Sequence, residues 1–283
     1  MKAIIIESPD QVRLAEMALP APGPGEVLIR SRAVGICGSD VELYQGTRPE
    51  GFYRYPLVPG HEWSGEVAAI GEQVRWLSMG DRVVAESILS CGTCRNCRVG
   101  LTNLCEAGYD EIGFTRPGGL AEYVVVPARL VHRLPRDASF QEAALLEPTA
   151  VVAQAFLGAA PRAAETVVVI GDGTIGLLAV QVLHLFSPAA LILAGSHDER
   201  LAIGRRLGAT HTINNKRDLT EGRGADLVFE VGSRAAGVEL SMRLARRGGR
   251  LYSRASPGQA LNTVIALREG ALKVLLIHDE SGR

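Results

Sequence analysis

The rhythm of apolar positions changes once along the chain. Up to about residue 135 they form short runs with partial two-residue alternation, at Lys2–Glu7, Glu26–Val34, Glu66–Ile70, Arg82–Ala85 and Glu122–Val126. This is the spacing of half-buried strands. Glycine and proline punctuate the runs, most densely at Pro20, Pro22, Gly23, Pro24 and Gly25, so this half predicts an irregular β-barrel. Near Ser139 the period lengthens. Ser139 and Glu142 have capping-box spacing ahead of the apolar run Ala143–Leu146. Pro148 is then expected to break the helix, which resumes over Ala150–Ala160 and leaves the Glu147 carboxylate at a kink. From Thr166 the pattern alternates. Strands are predicted at Thr166–Ile170, Leu191–Ala194, His211–Asn214, Asp226–Val231 and Gly249–Ser253, with helices at Thr174–Phe186, Asp198–Leu207 and Arg234–Ala245. Such alternation implies a parallel sheet of βαβ units. The predicted organisation is a first domain over residues 1–150 and an α/β domain over 151–271.

Composition narrows the classes open to such a chain. The 283 residues are 47% apolar and 22% charged, enough to bury sizeable cores without disulfides. Thirty basic residues against 31 acidic give a net charge of −1, and no basic face is spelled out for a polyanion. Nucleic acid is therefore not expected as a partner. No stretch approaches the ~20 uninterrupted apolar residues of a membrane span, and the apolar run in Met1–Glu7 is too short for a signal peptide. A soluble, cytoplasmic protein with no membrane partner is expected.

Three motifs carry chemistry. Cys91, Cys94, Cys97 and Cys105 are spaced C-x2-C-x2-C-x7-C, and short spacings let one loop wrap a tetrahedral ion. Four thiolates saturate zinc and leave no open position, which defines a structural site. An iron–sulfur cluster also uses close cysteines, but nothing else in the chain supports a redox centre. The fifth cysteine, Cys37, lies in Gly35-Ile36-Cys37-Gly38-Ser39-Asp40, and 24 residues later comes Gly60-His61-Glu62-Trp63-Ser64-Gly65. Singly, a free Cys is a common core residue and a lone His is commonly structural. The third motif is Gly171-Asp172-Gly173-Thr174-Ile175-Gly176, directly after the run Val167–Ile170. A G-x-G-x-x-G turn between strand and helix is the dinucleotide fingerprint, with the pyrophosphate seated on the helix N-terminus. An acid about 20 residues on would hold the ribose hydroxyls of NAD, yet Gly195 stands 19 residues after Gly176, in Gly195-Ser196-His197-Asp198-Glu199-Arg200. Ser196, His197 and Arg200 are suited to the 2′-phosphate of NADP. A register slip that sets Asp198 on the ribose would favour NAD instead.

Together Cys37-Gly38-Ser39-Asp40, Gly60-His61-Glu62, the four-cysteine loop and Glu147-Pro148 resemble the zinc-dependent medium-chain alcohol and polyol dehydrogenases. The Glu-Pro pair and the Glu after His61 look like the sorbitol and threonine dehydrogenase branch. The stretch Tyr55–Gly65 with Gly113-Phe114-Thr115-Arg116 is similar to aminocyclitol dehydrogenases. The resemblance implies an α/β protein with a GroES-like β-barrel catalytic domain and a Rossmann domain. It implies two zinc ions, one structural and one catalytic, and NADP or NAD as hydride carrier. It implies that Cys37, His61 and either Glu147 or Glu62 hold the catalytic zinc. Glu147 is the preferred ligand, with Glu62 exchanging for it or holding a bound water. Ser39 would relay the alcohol proton and Asp40 would orient the histidine. The substrate would be a secondary alcohol or polyol.

The family pattern is not matched at the C-terminal end. Only about 30 residues follow the strand ending near Ser253, reading as a helix at Thr263–Ala271 and a strand at Lys273–Ile277. An internal segment of the family is therefore expected to be missing, with the last strand paired inside the chain or residues 272–283 returning to the first domain. A monomer or a differently built dimer, with slow hydride transfer, would follow. The alternative function is a catalytically impaired zinc- and nucleotide-binding homologue. A zinc-ribbon interaction module fits less well, because the catalytic ligands are present.

Overall fold

A computed structural model describes residues 1–218, 224–232, 235–253 and 275–277. The predicted helix at Thr263–Ala271 lies outside the described residues. The chain divides between Glu147 and Pro148 into two units, Met1–Glu147 and Pro148–Arg283.

In the first unit β1 (Lys2–Ser8) and β2 (Gln11–Glu16) form a hairpin, and β3 (Glu26–Val34) leads through a short connection to α1 (Gly38–Gln45). Next come β4 (Trp63–Ile70), β5 (Arg82–Ala85) and β6 (Ile88–Leu89). The cysteine loop with α2 (Arg95–Arg98) follows, then β7 (Asp110–Glu111), β8 (Tyr123–Pro127), β9 (Val131–Arg133) and α3 (Phe140–Ala143). The main sheet is antiparallel in the order β8-β3-β4-β5-β9, and β6 pairs with β7. Its buried face is the apolar set that alternation predicted: Val27 and Ile29 on β3, Val67 on β4, Val83 on β5, Val124 and Val126 on β8. Ser139 caps α3, its hydroxyl accepting from Glu142 N at 3.3 Å. Ser64 Oγ donates to Phe140 O at 2.6 Å, and the Arg82 guanidinium lies 4.4 Å from the Phe140 ring centroid.

One sequence expectation is corrected here. Pro148 does not break a helix; α4 runs unbroken from Leu146 to Ala159, and the interruption falls at Ala144–Leu145. Pro148 is the third residue of α4, where backbone N–H groups have no partner one turn earlier, so a missing N–H costs little. Glu147 thus stands in the first turn of a helix, favourable for a carboxylate, rather than at a kink.

The second unit alternates β10 (Thr166–Ile170), α5 (Thr174–His184), β11 (Ala190–Gly195), α6 (Asp198–Arg206), β12 (His211–Asn214), β13 (Ala225–Glu230), α7 (Ala235–Leu244), β14 (Ala245–Ser253) and β15 (Leu275–Ile277). All six described strands are parallel, in the order β12-β11-β10-β13-β14-β15. Counted from β10 this is 3-2-1-4-5-6, the order of dinucleotide-binding sheets. The sixth place is taken by Leu275–Ile277, paired with Arg250–Tyr252 of the same chain. β14 begins at Ala245, assigned to the preceding helix from sequence, because a bulge between Ala225 and Leu227 lets Ala245 pair with Ala225.

Both faces of this sheet are covered, which explains its unbroken apolar runs. Val167 and Val169 point to one side with Leu191, Leu193, Leu227 and Phe229, against Val152, Phe156 and Leu183 from helices. Val168 and Ile170 point to the other, with Val228, Leu251 and Leu244. Phe229 stacks on Tyr252 at 4.6 Å between centroids and tilts against Phe156 at 4.9 Å. Phe229→Ala removes a fully buried ring from this stack, so we expect the second unit to lose about 3–5 kcal/mol of stability. Urea unfolding read by far-UV circular dichroism measures it; a loss below about 1 kcal/mol would mean that the stack does not organise the core.

Candidate active site and metal centres

Cys37 is the residue just before α1, and Asp40 stands in the first turn of that helix. The Asp40 carboxylate turns back so that Oδ2 accepts from Cys37 N at 2.8 Å, while Oδ1 accepts from Gly60 N at 3.3 Å. The same Oδ1 lies 3.6 Å from His61 Nδ1. One buried carboxylate therefore ties the Cys37 turn to the Gly60–His61 turn. Gly60 has φ of +96°, and a Cβ there would stand 2.9 Å from Leu120, so no other residue fits without displacement.

This arrangement gathers Cys37, His61 and Glu62, whose ligand atoms all lie within 4.8 Å of one another. His61 and Glu62 are buried, and His61 Nδ1 has no hydrogen-bond partner. Burial by itself disfavours a charged imidazole; Asp40 and Cys37 beside it, with the charge of Glu147, outweigh burial and push the His61 pKa up to about 10. The pocket thus favours positive charge. A thiol, an imidazole and a carboxylate converging in a field of that sign suit a zinc ion with an open fourth position. Glu147 acts on His61 through its charge but is not among the three residues whose atoms close within 4.8 Å. Ser39, half-buried, precedes Asp40 on the first turn of α1.

A wall that sequence reasoning missed flanks His61. The Phe114 ring lies 4.8 Å from the His61 ring, and the Arg48 guanidinium covers Phe114 at 3.8 Å from its centroid. Arg48 also pairs with Glu111 at 3.4 Å. Burial raises the Glu111 pKa, opposed by the charges of Arg48 and His61. No spacing in the sequence links residues 48, 61, 111 and 114; the only signal was the aromatic at Phe114 inside a glycine-flanked stretch.

The four cysteines of the loop also converge within 4.8 Å. Cys91 and Cys97 Sγ are 3.8 Å apart, the edge of a tetrahedron of about 3.8 Å expected for Zn–S bonds near 2.3 Å. Backbone N–H groups point at the sulfurs: Thr93 N and Cys94 N to Cys91 Sγ at 3.5 and 3.4 Å, Cys97 N to Cys94 Sγ at 3.5 Å, and Cys91 N to Cys105 Sγ at 3.4 Å. The N–H groups of Thr93 and Cys94 and the Thr93 hydroxyl hold the Cys91 pKa down at about 5. Thiolates held by N–H donors, all four sulfurs turned inward, fit a closed zinc site.

In the second unit the chain turns at Gly171 into α5. A Cβ on Gly176 would stand 1.8 Å from Gly171 O, so the close approach of helix to turn requires glycine. A Cβ on Gly173, just ahead of α5, would meet nothing within 4 Å, which leaves open space where a pyrophosphate would seat on the helix N-terminus. Thr174 and Ile175 open that helix. β11 ends on Gly195, with no acid of its own, as the sequence predicts, but an acid reaches that place from elsewhere in the chain. The buried Asp172 carboxylate reaches that strand end from the glycine turn, accepting from Ser196 N at 2.8 Å and His197 N at 2.7 Å. His197 Nδ1 lies 3.1 Å from the same oxygen. Asp198, the alternative ribose partner, is engaged by Arg217 at 2.8 and 2.9 Å and by Asn214 Nδ2 at 2.8 Å. Arg200 stands on the exposed side of α6.

Family models match both parts of the chain: the alcohol dehydrogenase GroES-like domain over residues 23–136, and the zinc-binding dehydrogenase model over residues 174–275. The starvation-sensing protein RspB of Escherichia coli K12 is 38% identical over 218 residues, 77% of this chain and 63% of RspB. The sorbitol dehydrogenase of Bacillus subtilis 168 is 32% identical over 92% of this chain and 76% of its own length. Among solved structures, a zinc-binding dehydrogenase from Sinorhizobium meliloti 1021 bound to NADP has a TM-score of 0.83 and 31% identity, covering 93% of this chain and 81% of that one. The rspB protein of Escherichia coli CFT073, complexed with NADH, has a TM-score of 0.83 and 30% identity, covering 98% and 82%. The chain belongs to the zinc-dependent medium-chain alcohol and polyol dehydrogenase family. Among the described residues no helix is long and apolar enough to cross a membrane.

Two clusters imply about two zinc ions per chain by elemental analysis. The Cys37 site has an open position and should lose its ion first to a chelator, while the closed cysteine loop keeps its own. About one zinc per chain, unchanged by Cys37→Ala, would remove the Cys37 cluster as a metal site.

Acid sensitivity follows from Asp172. Burial would raise its pKa, but the N–H groups of Ser196 and His197 and the His197 ring hold it below the ordinary 3.8. A carboxyl depressed in the folded state contributes stability that is complete above its unfolded pKa and is lost as pH falls through the folded value. The thermal midpoint should therefore fall below about pH 4, and Asp172→Asn should shallow that decline. Equal slopes for the two proteins would contradict the assignment.

Proposed function

We propose that the chain transfers hydride between a secondary alcohol or polyol and NAD(P), with Cys37, His61 and a carboxylate as the catalytic metal ligands. The observation that carries the reading is the Cys37–His61–Glu62 donor set with its unpartnered buried imidazole nitrogen, in a chain whose second unit has the dinucleotide strand order. A zinc ion held by that set would supply Lewis acidity, which lowers the pKa of a bound alcohol. The relative named for sorbitol and the structures holding NADP or NADH support this substrate and cofactor class.

The chain's own groups divide the remaining work. Cys37 and one carboxylate offset the charge of a divalent ion, and His61 serves as the neutral ligand. Glu62 is the carboxylate closed around the site as described; Glu147, acting on the same imidazole, is the partner able to exchange with it. Asp40 positions both ligand-bearing turns. Ser39 takes the alcohol proton and passes it outward, and Phe114 keeps one side of His61 dry. Ser196, His197 and the glycine turn face the adenosine end of the cofactor.

A panel of polyols and aminocyclitols, read by NAD(P)H absorbance, tests the activity. Ser39→Ala should lower kcat by about 10²-fold or more, the range for a lost proton-transfer group. Asp40→Asn should cost about 10–100-fold in metal affinity or activity, as for other carboxylates that orient a ligand. Comparing Glu62→Gln with Glu147→Gln for zinc retention identifies the resident carboxylate. Intact zinc and nucleotide binding without turnover of any panel alcohol would favour the inert homologue.

A further inference from the structure

The residue that separates NAD from NADP in such sheets is sought at the end of the second strand, where an acid side chain reads the ribose hydroxyls. Here that strand is β11, and it ends on Gly195. The space beside Gly195 is filled. A Cβ on Gly195 would stand 2.5 Å from Asp172 Cβ and 2.6 Å from its Cγ and Oδ2. The carboxylate occupying that space comes from the middle of the glycine turn, 23 residues earlier in the chain.

We propose that Asp172 is the residue that discriminates against the 2′-phosphate of NADP, by seating its own anion on the N–H groups of Ser196 and His197. The inference rests on the dinucleotide site of the proposed function. Two backbone N–H groups turned to one point form an anion seat, and a cofactor phosphate would need those donors. Both are already taken, at 2.8 and 2.7 Å. The His197 ring, which the sequence offered to the phosphate, lies 3.1 Å from the Asp172 carboxylate and 3.2 Å from Ser196 Oγ. A 2′-phosphate brings its negative charge toward a buried carboxylate that already holds both backbone donors. A ribose hydroxyl suffers no such repulsion, because it donates a hydrogen bond to the carboxylate. Asp172 thus does from the turn what the usual acid does from the strand, and Gly195 is small because the acid arrives from the other side.

Calorimetric titration with 5′-AMP and 2′,5′-ADP, followed by NAD and NADP, tests this without turnover. The wild-type protein should bind 5′-AMP at least tenfold tighter than 2′,5′-ADP. Asp172→Asn keeps the side-chain size and removes the charge, and Asp172→Ser frees both N–H groups; in each the preference should shrink at least tenfold. Gly195→Asp placed in an Asp172→Gly background, which removes the Cβ that a side chain at 195 would meet at 2.5 Å, should restore it, since a carboxylate then returns to the same place from the strand. A wild-type preference for 2′,5′-ADP, or equal weakening of both nucleotides in the Asp172 variants, overturns the proposal and leaves Asp172 as a support of the turn. Failure of the wild-type protein to bind 5′-AMP or NAD at all overturns the dinucleotide reading itself, and the proposal with it. Circular dichroism monitors folding, and if Asp172→Ser does not fold, the isosteric Asp172→Asn decides.

Discussion

The geometry of the first unit's metal cluster depends on the Asp40 carboxylate. Cys37 and His61 are 24 residues apart, carried by turns that lie beyond the last ladder pair of β3 and β4, Val34 with Trp63. Asp40 bonds the backbone of both turns, through Cys37 N and Gly60 N, while its charge lies beside the His61 ring. A buried carboxylate is costly unless its oxygens are satisfied, and here those N–H groups satisfy it. Satisfaction of the hydrogen bonds does not cancel the charge. Against the penalty of burial, Asp40, Cys37 and the charge of Glu147 raise the affinity of one imidazole for a proton, and the Glu62 carboxylate closes on the same cluster. A divalent ion held by Cys37, His61 and Glu62 would answer the same field with twice the charge.

The second unit uses a buried carboxylate in the opposite sense. Asp172 also crosses from one turn to the backbone of another, accepting from Ser196 N and His197 N. At Asp40 the carboxylate prepares a place for a cation; at Asp172 it takes a place that an anion would otherwise fill. Both rely on charge-assisted hydrogen bonds from backbone N–H groups, which are stronger than neutral pairs and fix direction as well as distance. The glycines beside them follow from this. Gly60 holds a left-handed turn, and Gly195 yields its side-chain space to a neighbour's carboxylate.

What could be read in the sequence was whatever depends on neighbours along the chain. The first five strands and the helices of the parallel sheet were legible because burial on both faces writes continuous apolar runs, and the observed elements differ from the expected ones by a few residues at their ends. Pro148 reads as a helix breaker in sequence, but its effect depends on position within the helix. In the first turn its missing N–H has no partner to lose, and the interruption falls instead at Ala144–Leu145. The start of β14 at Ala245 is hidden in the sequence for a different reason. It follows from a bulge whose extra residues are visible only against the partner strand.

The same rule separates the two metal clusters. The cysteine loop draws all its donors, and the N–H groups that orient them, from residues 91–105, so spacing alone conveys the site. The Cys37 cluster draws on two separated segments, Cys37 and His61–Glu62, and its carboxylate ligand cannot be chosen from spacing because Glu62 joins the cluster while the charge of Glu147 acts on the same imidazole. Asp172 was harder still. It sits between the glycines of the turn, and its partners lie 24 and 25 residues away on a different turn. A carboxylate in that position has meaning only once β10 and β11 are paired side by side, with Ile170 opposite Ala194. That parallel register brings the glycine turn to the end of β11, and thereby puts an acid where the strand itself has none.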